Sequence, residues 1–320
     1  MTFQGFVEDV KDNILSYLPM KYADSSVEVN EVLKNNGVKL QGLMIHGVKN
    51  VSPTIYLEPF YEMHSHGIGM HQIMKSIADV YVKHQENVSE FSTGALTYEN
   101  LKDKLFITAV NAEKNEHLLK DVPHEIKEDL ALIYRVQLPL EAEGGKGSFI
   151  LHNSHLQYFG ITEETLAEQA KVSTRNLMEP KVTGMFALLE EMESYNPILQ
   201  IMSEEEKANL KANENMFVVT TQDKVFGAAF MFDENVMHQM AERIGGNFAV
   251  IPSSIHEIIC LKEQGEFDFD CLRDMVKEVN YTQVMEEEQL ADSIYYYDAE
   301  KQALSLVEEG TQTMGMDMNQ

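Results

Sequence analysis

The sequence has no tryptophan and only two cysteines and eight prolines in 320 residues. The two cysteines, Cys260 and Cys271, are too few for a disulfide framework or a structural zinc site. No uninterrupted apolar run approaches the about 18 residues that a membrane-spanning helix needs. The first ten residues lack a basic segment followed by a long apolar one, so we expect no signal peptide and a cytoplasmic location.

Basic side chains are also scarce. The chain has 25 lysines and arginines against 52 aspartates and glutamates, a formal net charge of −27. Residues 1–160 carry −7 of this charge and residues 161–320 carry −20. Nucleic acids and anionic membranes repel such a surface, so we expect neither as a partner. The acidic second half is either an ordinary solvated surface or a face that binds a basic partner or mimics nucleic acid.

Several motifs that hold cofactors or nucleophiles are missing from the sequence. It contains no Gly-x-x-x-x-Gly-Lys-Ser/Thr phosphate loop and no Gly-x-Gly-x-x-Gly dinucleotide motif. It also contains no His-Glu-x-x-His zinc motif and no Gly-x-Ser-x-Gly nucleophile elbow. We therefore expect no cofactor.

The hydrophobic residues, 44% of the chain, provide a core, and their periodicity predicts both helices and strands. Asn35-Asn36-Gly37 between two alternating runs predicts a hairpin, and Thr162 before two glutamates predicts a helix start. Further predicted elements are a helix over 3–18, an extended segment over 54–60, strands over 130–138, 216–221 and 225–232, a helix over 234–244, and a hairpin of 294–297 with 303–307. Strand–turn–strand–helix units recur in this pattern. They predict an α+β fold of antiparallel or mixed sheets with helices on one face.

The same pattern suggests two lobes. We expect an N-terminal α+β lobe over 1–180, an irregular or helical connection over 181–215 and a C-terminal α+β lobe over 216–308. The alternative is one compound domain. Residues 309–320 have no periodicity and are expected to be disordered.

Three histidines, His64, His66 and His71, lie within eight residues. Imidazoles bind zinc, copper or nickel, but this spacing matches no metal motif, and the neighbouring Gly67 and Gly69 favour a turn. We interpret the segment as a polar turn between a strand and a helix and predict no metal. These three histidines are the candidate ligands if one binds.

The segment Pro252–Glu257 joins two predicted strands, a position where functional residues collect. Ser253, Ser254, His256 and Glu257 are the residue types of an activated nucleophile, so they are the candidate catalytic residues. A strand would point His256 and Glu257 to opposite faces, and the serine hydroxyls can instead satisfy backbone groups of a turn.

A second strand end carries His152 and Asn153, which follow the apolar residues 149–151. They are the candidate ligand-binding residues. If this segment faces the one around His256, the two line a single cleft.

Five parts of the sequence together resemble a known family. They are the hairpin around Asn35-Asn36-Gly37 with Ser52–Leu57, the stretch Asn111–Pro123 with Leu130–Tyr134, Gly160-Ile161-Thr162 with Arg175–Leu177, Gly246–Glu257, and Asp292–Asp298. Over nearly its whole length the chain resembles an uncharacterised domain-of-unknown-function family common in gut clostridia and often near mobile elements. The resemblance implies a bacterial cytoplasmic protein that forms one full-length module. It supplies no activity and no catalytic residues, although Pro252–Glu257 matches the family and the histidine cluster does not.

The leading hypothesis is a non-catalytic cytoplasmic binding or protein-interaction module whose partner has a basic face. Tyr295, Tyr296 and Tyr297 alternate between faces of the last hairpin, so at least one ring should be exposed to such a partner. The alternative is a hydrolase-like enzyme with its site around Pro252–Glu257. The second alternative is an acidic nucleic-acid mimic.

Overall fold

The computed structural model describes residues 1–47, 52–87, 96–138, 147–191, 197–265 and 267–310. It confirms an α+β fold with antiparallel sheets. The helices are α1 (Phe3–Asn13), α2 (Glu58–Ser65), α3 (Met70–Asn87), α4 (Tyr98–Leu101), α5 (Glu116–Leu119), α6 (Asn153–Phe159), α7 (Glu163–Leu177), α8 (Met185–Glu191), α9 (Pro197–Ile201), α10 (Glu204–Ala212), α11 (Glu234–Ile244) and α12 (Phe269–Gln283). The strands are β1 (Ser26–Leu33), β2 (Lys39–His46), β3 (Ile55–Tyr56), β4 (Leu105–Asn111), β5 (His124–Lys127), β6 (Leu130–Gln137), β7 (Ser148–Ile150), β8 (Pro180–Gly184), β9 (Met216–Thr221), β10 (Phe248–Ser254), β11 (Glu257–Lys262), β12 (Tyr295–Asp298) and β13 (Ala303–Leu306). None of these helices is long and apolar enough to cross a membrane.

The contacts divide the chain into two compact units. Unit 1 is Met1–Lys102 with Val136–Phe149, and unit 2 is Asp103–Arg135 with Ile150–Gln320. The boundary predicted near residue 180 falls inside unit 2, because β8 pairs along its whole length with β9. The predicted connection 181–215 therefore contains most of β8, and its remainder leads to β9, the neighbouring strand of the same sheet. Residues 311–320 of the predicted disordered tail lie outside the described residues.

Unit 1 is built on an antiparallel sheet in the order β1-β2-β3. Asn36 and Gly37 both have positive φ, so the predicted Asn-Gly turn closes the β1–β2 hairpin. Phe6 and Val10 of α1 pack with Ile73 and Ile77 of α3 in its core. The segment predicted as extended over 54–60 is instead the short β3 followed by α2, whose first turn holds a proline.

Unit 2 contains a six-stranded sheet in the order β13-β12-β10-β11-β9-β8. One face of its β10–β12 region packs against α11, and the other packs against α12. Helices thus cover both faces rather than the single face that we predicted. The prediction of an exposed tyrosine in β12 is wrong for the same reason: Tyr295 and Tyr297 face one core, Tyr296 faces the other, and all three are buried.

A second sheet has the order β4-β6-β5, with β7 paired to β6, and belongs to unit 2 except for residues 136–137 and 148–149. The helix α7 lies against β4, where the Ile107 amide donates to the Thr174 hydroxyl at 3.0 Å. Its start is the predicted one, since the Thr162 hydroxyl accepts from the Thr165 amide at 3.2 Å.

The strand predicted over 225–232 is wrong. Lys224 and Phe226 have positive φ, and Gly227–Phe232 form a 3₁₀ helix that lies on the sheet. Its residues Ala228, Phe230 and Met231 are buried in the core. The apolar run that resembles a strand in the sequence therefore fills a sheet face instead of extending the sheet.

Candidate functional site

The candidate catalytic segment closes the β10–β11 hairpin. Ser254 pairs with Glu257, so Ile255 and His256 form a two-residue turn. The register shifts between Ile251 and Ser254, and Pro252 lies in that irregularity, where its missing amide hydrogen breaks no ladder bond. The β10 strand thus extends past Pro252, which the sequence had indicated as its end.

The imidazole of His256 is held on both of its nitrogen atoms. Nδ1 accepts a hydrogen bond from the Phe226 amide at 3.2 Å, and Nε2 lies 3.5 Å from the Glu288 carboxylate. A nitrogen that accepts cannot also carry the proton, so the neutral ring has its proton on Nε2, facing Glu288. No lone pair of the ring is then left to act as a general base.

The backbone of the same turn is anchored to β9 and to the 3₁₀ helix. The His256 carbonyl accepts from the Thr220 hydroxyl at 2.8 Å and from the Gly227 amide at 2.9 Å. A Cβ at Gly227 would lie 2.6 Å from Thr220 Cα and 2.8 Å from the His256 oxygen. Only glycine allows this close approach, so a glycine at residue 227 is what lets the turn pack this closely on β9.

Aromatic packing fills the space beside His256. The Phe226 ring centre lies 5.6 Å from that of His256 and 5.9 Å from that of Phe106. The Arg135 guanidinium lies 4.8 Å from the same ring centre. Burial lowers the pKa of Arg135 to about 10, which still leaves the side chain charged at neutral pH. The ring of Phe226 therefore occupies the position beside the imidazole.

The serines of the segment do not contact the imidazole. The Ser254 hydroxyl accepts from the His256 backbone amide at 3.1 Å, which is the backbone role that a turn serine plays. Among the described residues, neither Ser253 nor Glu257 bonds to His256; the carboxylate that faces the ring comes from Glu288 instead. The arrangement contains a histidine and a carboxylate but no aligned nucleophile.

The candidate ligand-binding residues lie at the start of α6. His152 Nδ1 bonds to the Asp121 carboxylate at 2.7 Å, and the His152 amide donates to Nδ1 of His155 at 2.9 Å. The Asn153 amide donates to the Asp121 carbonyl at 2.8 Å, while its side-chain oxygen is buried with no partner among the described residues. Burial lowers the pKa of His155, and the nearby His152 adds to this effect. His152 and His256 have no bonding partner in common, so these bonds do not join the two segments into one cleft.

The three histidines of unit 1 each have a separate partner. His64 Nδ1 bonds to the Ile68 carbonyl, His66 Nδ1 to the Glu62 carbonyl, and His71 Nδ1 to the Tyr17 hydroxyl. His64 also lies in the last turn of α2 rather than in the predicted turn. No three histidine, cysteine or acidic side chains in the described ranges converge on a metal position.

A groove of about 510 Å³ in unit 1 contains none of the candidate catalytic or ligand-binding residues. It runs between the segment Tyr17–Pro19 and one face of α3, where Asp79, Lys83 and Glu86 line it. The groove is open to solvent and mixes both signs of charge. It therefore provides no binding cavity for the turns at His152 and His256.

A polar cluster that the sequence did not reveal joins the β5–β6 turn to β12. The Asp129 carboxylate accepts from the hydroxyls of Tyr295 and Ser293, the latter at 2.6 Å. Burial raises the pKa of Tyr295 above its usual value, and the Asp129 charge adds to the rise. More than 160 residues separate these groups in the chain, so no local pattern could predict the contact.

The acidic charge belongs mainly to unit 2. That unit has 38 acidic and 16 basic side chains, a net −22, whereas unit 1 has 14 and 9, a net −5. Exposed carboxylates of unit 2 lie on separate helices. They include Glu163, Glu164 and Glu168 of α7, Glu204–Glu206 of α10, and Asp270, Asp274 and Glu278 of α12.

The comparison with known proteins agrees with the resemblance noted from the sequence. Residues 3–299 match a family of unknown function, DUF5688. No curated protein and no solved structure matches the chain. Since the match covers nearly all of the sequence, the chain belongs to the family of unknown function DUF5688.

Proposed function

We propose that this protein is a non-catalytic binding module that recognises another protein through a basic face of that partner. The observation that carries the proposal is the state of His256, whose two ring nitrogens are engaged by Phe226 and Glu288. Its neighbouring serine bonds to backbone. These contacts support a structural role for the residue types that resemble a nucleophile and base, and they weigh against a hydrolase.

The charge distribution supports a basic partner. A net −22 on unit 2 creates a field that attracts cations over about one Debye length, about 8 Å at physiological salt. The same field opposes nucleic acids and anionic lipid surfaces. We therefore propose a cytoplasmic protein partner and neither of those surfaces.

Binding to a defined probe tests the proposal. A lysine-rich amphipathic peptide, titrated against the full chain, should bind at low salt and lose at least about tenfold in affinity between 50 and 500 mM salt. A glutamate-rich peptide of the same length and apolar pattern should not bind. Equal binding of both peptides, or affinity that does not change with salt, would contradict the proposal.

Turnover tests the hydrolase alternative directly. We expect no hydrolysis of a panel of chromogenic esters and amides above the uncatalysed rate, either by the wild type or by His256→Ala. Turnover by the wild type that disappears in His256→Ala would make the protein an enzyme and refute a purely structural His256.

A further inference from the structure

The helix α12 is covered on one side only. Its buried residues, Phe269, Arg273, Val276 and Asn280, follow one another at steps of three and four. At 100° per residue they occupy one arc of the helix, which packs on the sheet. The rest of the circumference, more than half of it, faces away from unit 2.

An apolar stripe begins at the edge of the packed side and continues onto the uncovered side. Leu272, Met275 and Val279 lie at i, i+3 and i+7, within about 60° of one another around the helix axis. Leu272 is half-buried and packs against the core beneath the helix, whereas Met275 is 57% exposed and Val279 is 44% exposed. This spacing is the one that a second helix contacts when it packs along the first.

A row of carboxylates lies on one side of the stripe, with Glu278 about 60°, Asp274 about 100° and Asp270 about 140° around the axis from Met275. Asp270, Asp274 and Glu278 follow at i, i+4 and i+8, about 6 Å apart along the axis, and all three are exposed. Of the three, Asp270 pairs with Arg273 at 2.7 Å, and no other ion pair of the row is found among the described residues. Lys277, the exposed cation of the helix, lies beyond the row and away from the apolar stripe.

From these two neighbouring rows we infer that the exposed face of α12 is the docking surface for a basic amphipathic helix of a partner protein. Apolar side chains of that helix cover Met275 and Val279. Its lysines or arginines, one turn apart, face Asp274 and Glu278, which are also one turn apart. This inference rests on the proposed function and names the surface that performs it.

Charge selects this occupant over a second copy of the chain. Two copies of α12 packed against each other would place two rows of carboxylates along one apolar seam, and like charges at that distance repel. A basic helix replaces that repulsion by attraction. An anionic membrane meets the same repulsion as a second copy does.

The chain contains a natural reporter of this surface. Cys271 is exposed and lies on α12 between the apolar stripe and the acidic row, whereas Cys260 is fully buried. Burial raises the pKa of Cys260 to about 12, so alkylation at neutral pH reports on Cys271 alone. A helix bound to α12 should slow alkylation of Cys271 by at least about fivefold at saturation.

The experiment measures binding of a synthetic basic amphipathic helix, with leucines at i, i+3 and i+7 and lysines elsewhere, to the full chain. Met275→Ser with Val279→Ser should weaken binding by at least about tenfold. Asp274→Lys with Glu278→Lys should weaken it as much and reduce its dependence on salt. Both pairs are exposed, so thermal unfolding should confirm that each variant folds like the wild type.

A matched control exists on α7, where Glu168 and Val172 are exposed at i and i+4. Glu168→Lys with Val172→Ser makes the same kinds of change on another acidic helix of unit 2. Its affinity should stay within about twofold of the wild type, and Cys271 should still be protected.

The outcomes separate the surface from the function. If the peptide binds in a salt-dependent way but the α12 and α7 variants behave alike, the surface is wrong and the proposed function stands. If the wild type shows no salt-dependent binding, both are refuted. A dimer in sedimentation that Met275→Ser with Val279→Ser dissociates would assign the face to a second copy and overturn the inference.

Discussion

The turn at His256 and the turn at His152 begin alike in the sequence and differ in the structure. Each follows an apolar strand, and each places a histidine beside polar residues. At His256 the ring accepts from a backbone amide and packs on Phe226, so the imidazole fixes the backbone. At His152 the ring is 39% exposed and bonds to the exposed carboxylate of Asp121. The hydrogen-bond partner of the ring, a backbone donor at His256 and a carboxylate acceptor at His152, therefore decides which role the histidine has.

The comparison is tested most strongly by a substitution that forces the His256 turn away from the sheet. Gly227→Ala places a Cβ 2.6 Å from Thr220 Cα and 2.8 Å from the His256 oxygen, both backbone atoms that cannot rotate away. We expect a loss of about 2–3 kcal/mol in the free energy of unfolding. Urea unfolding measures it. Gly69→Ala is the control, because a Cβ there has no neighbour within 4 Å and φ is not positive; a similar loss there would refute the explanation.

A second change removes the ring and keeps the backbone. His256→Ala leaves the Phe226 amide without its acceptor and should cost about 2 kcal/mol in the free energy of unfolding. His256→Asn should recover part of the loss, since the amide oxygen of asparagine can occupy the position of Nδ1. The same urea titration compares the two variants. If both lose equally, the bond to Phe226 is not what the ring contributes.

The smallest effect belongs to the His152 turn and depends on pH. The pKa of His155 is below its usual 6.5, because burial and His152 oppose its charge more than Asp121 favours it. The folded state thus prefers neutral His155, so its contribution to stability is complete above about pH 6.5 and falls as the pH drops through the lowered pKa. Thermal unfolding between pH 5 and 7.5 should show this decline. In His155→Phe, which keeps a ring against Phe159, the decline should be smaller; an unchanged decline would assign it to other groups.

Local chemistry explains which elements could be predicted from the sequence. The Asn35–Gly37 hairpin, the Thr162 cap and the end of α11 at Gly245, with its positive φ, each depend on a few neighbouring residues. The strand prediction for 225–232 was wrong because apolar residues are buried equally well in a strand of the sheet or in a 3₁₀ helix packed on a face of the sheet. The choice depends on the close approach of Gly227 to Thr220, a residue that lies outside the run.

The candidate site was predictable only in part. Its residue types and its place at a hairpin end could be read from the sequence. The partners of His256 could not, because Phe226 and Glu288 lie about thirty residues away in opposite directions. The acidic row of α12 is visible in the sequence at steps of four. Which side of that helix is buried depends on how it packs on the sheet. The sequence alone therefore could not show that the apolar residues beside the row are exposed.

The three buried tyrosines of β12 make the sheet its own optical probe. The chain has no tryptophan, so its intrinsic fluorescence is that of tyrosine. Burial raises the pKa of Tyr296 to about 12 and also raises those of Tyr295 and Tyr297. The folded sheet therefore resists tyrosinate formation, and its stability declines as the pH rises above 10 through these raised values. The pKa values of Tyr81 in unit 1 and of Tyr134 are raised as well. A spectrophotometric titration should then show this late group of phenols ionising as the folded structure opens, so that base reports on the integrity of the fold without any added label.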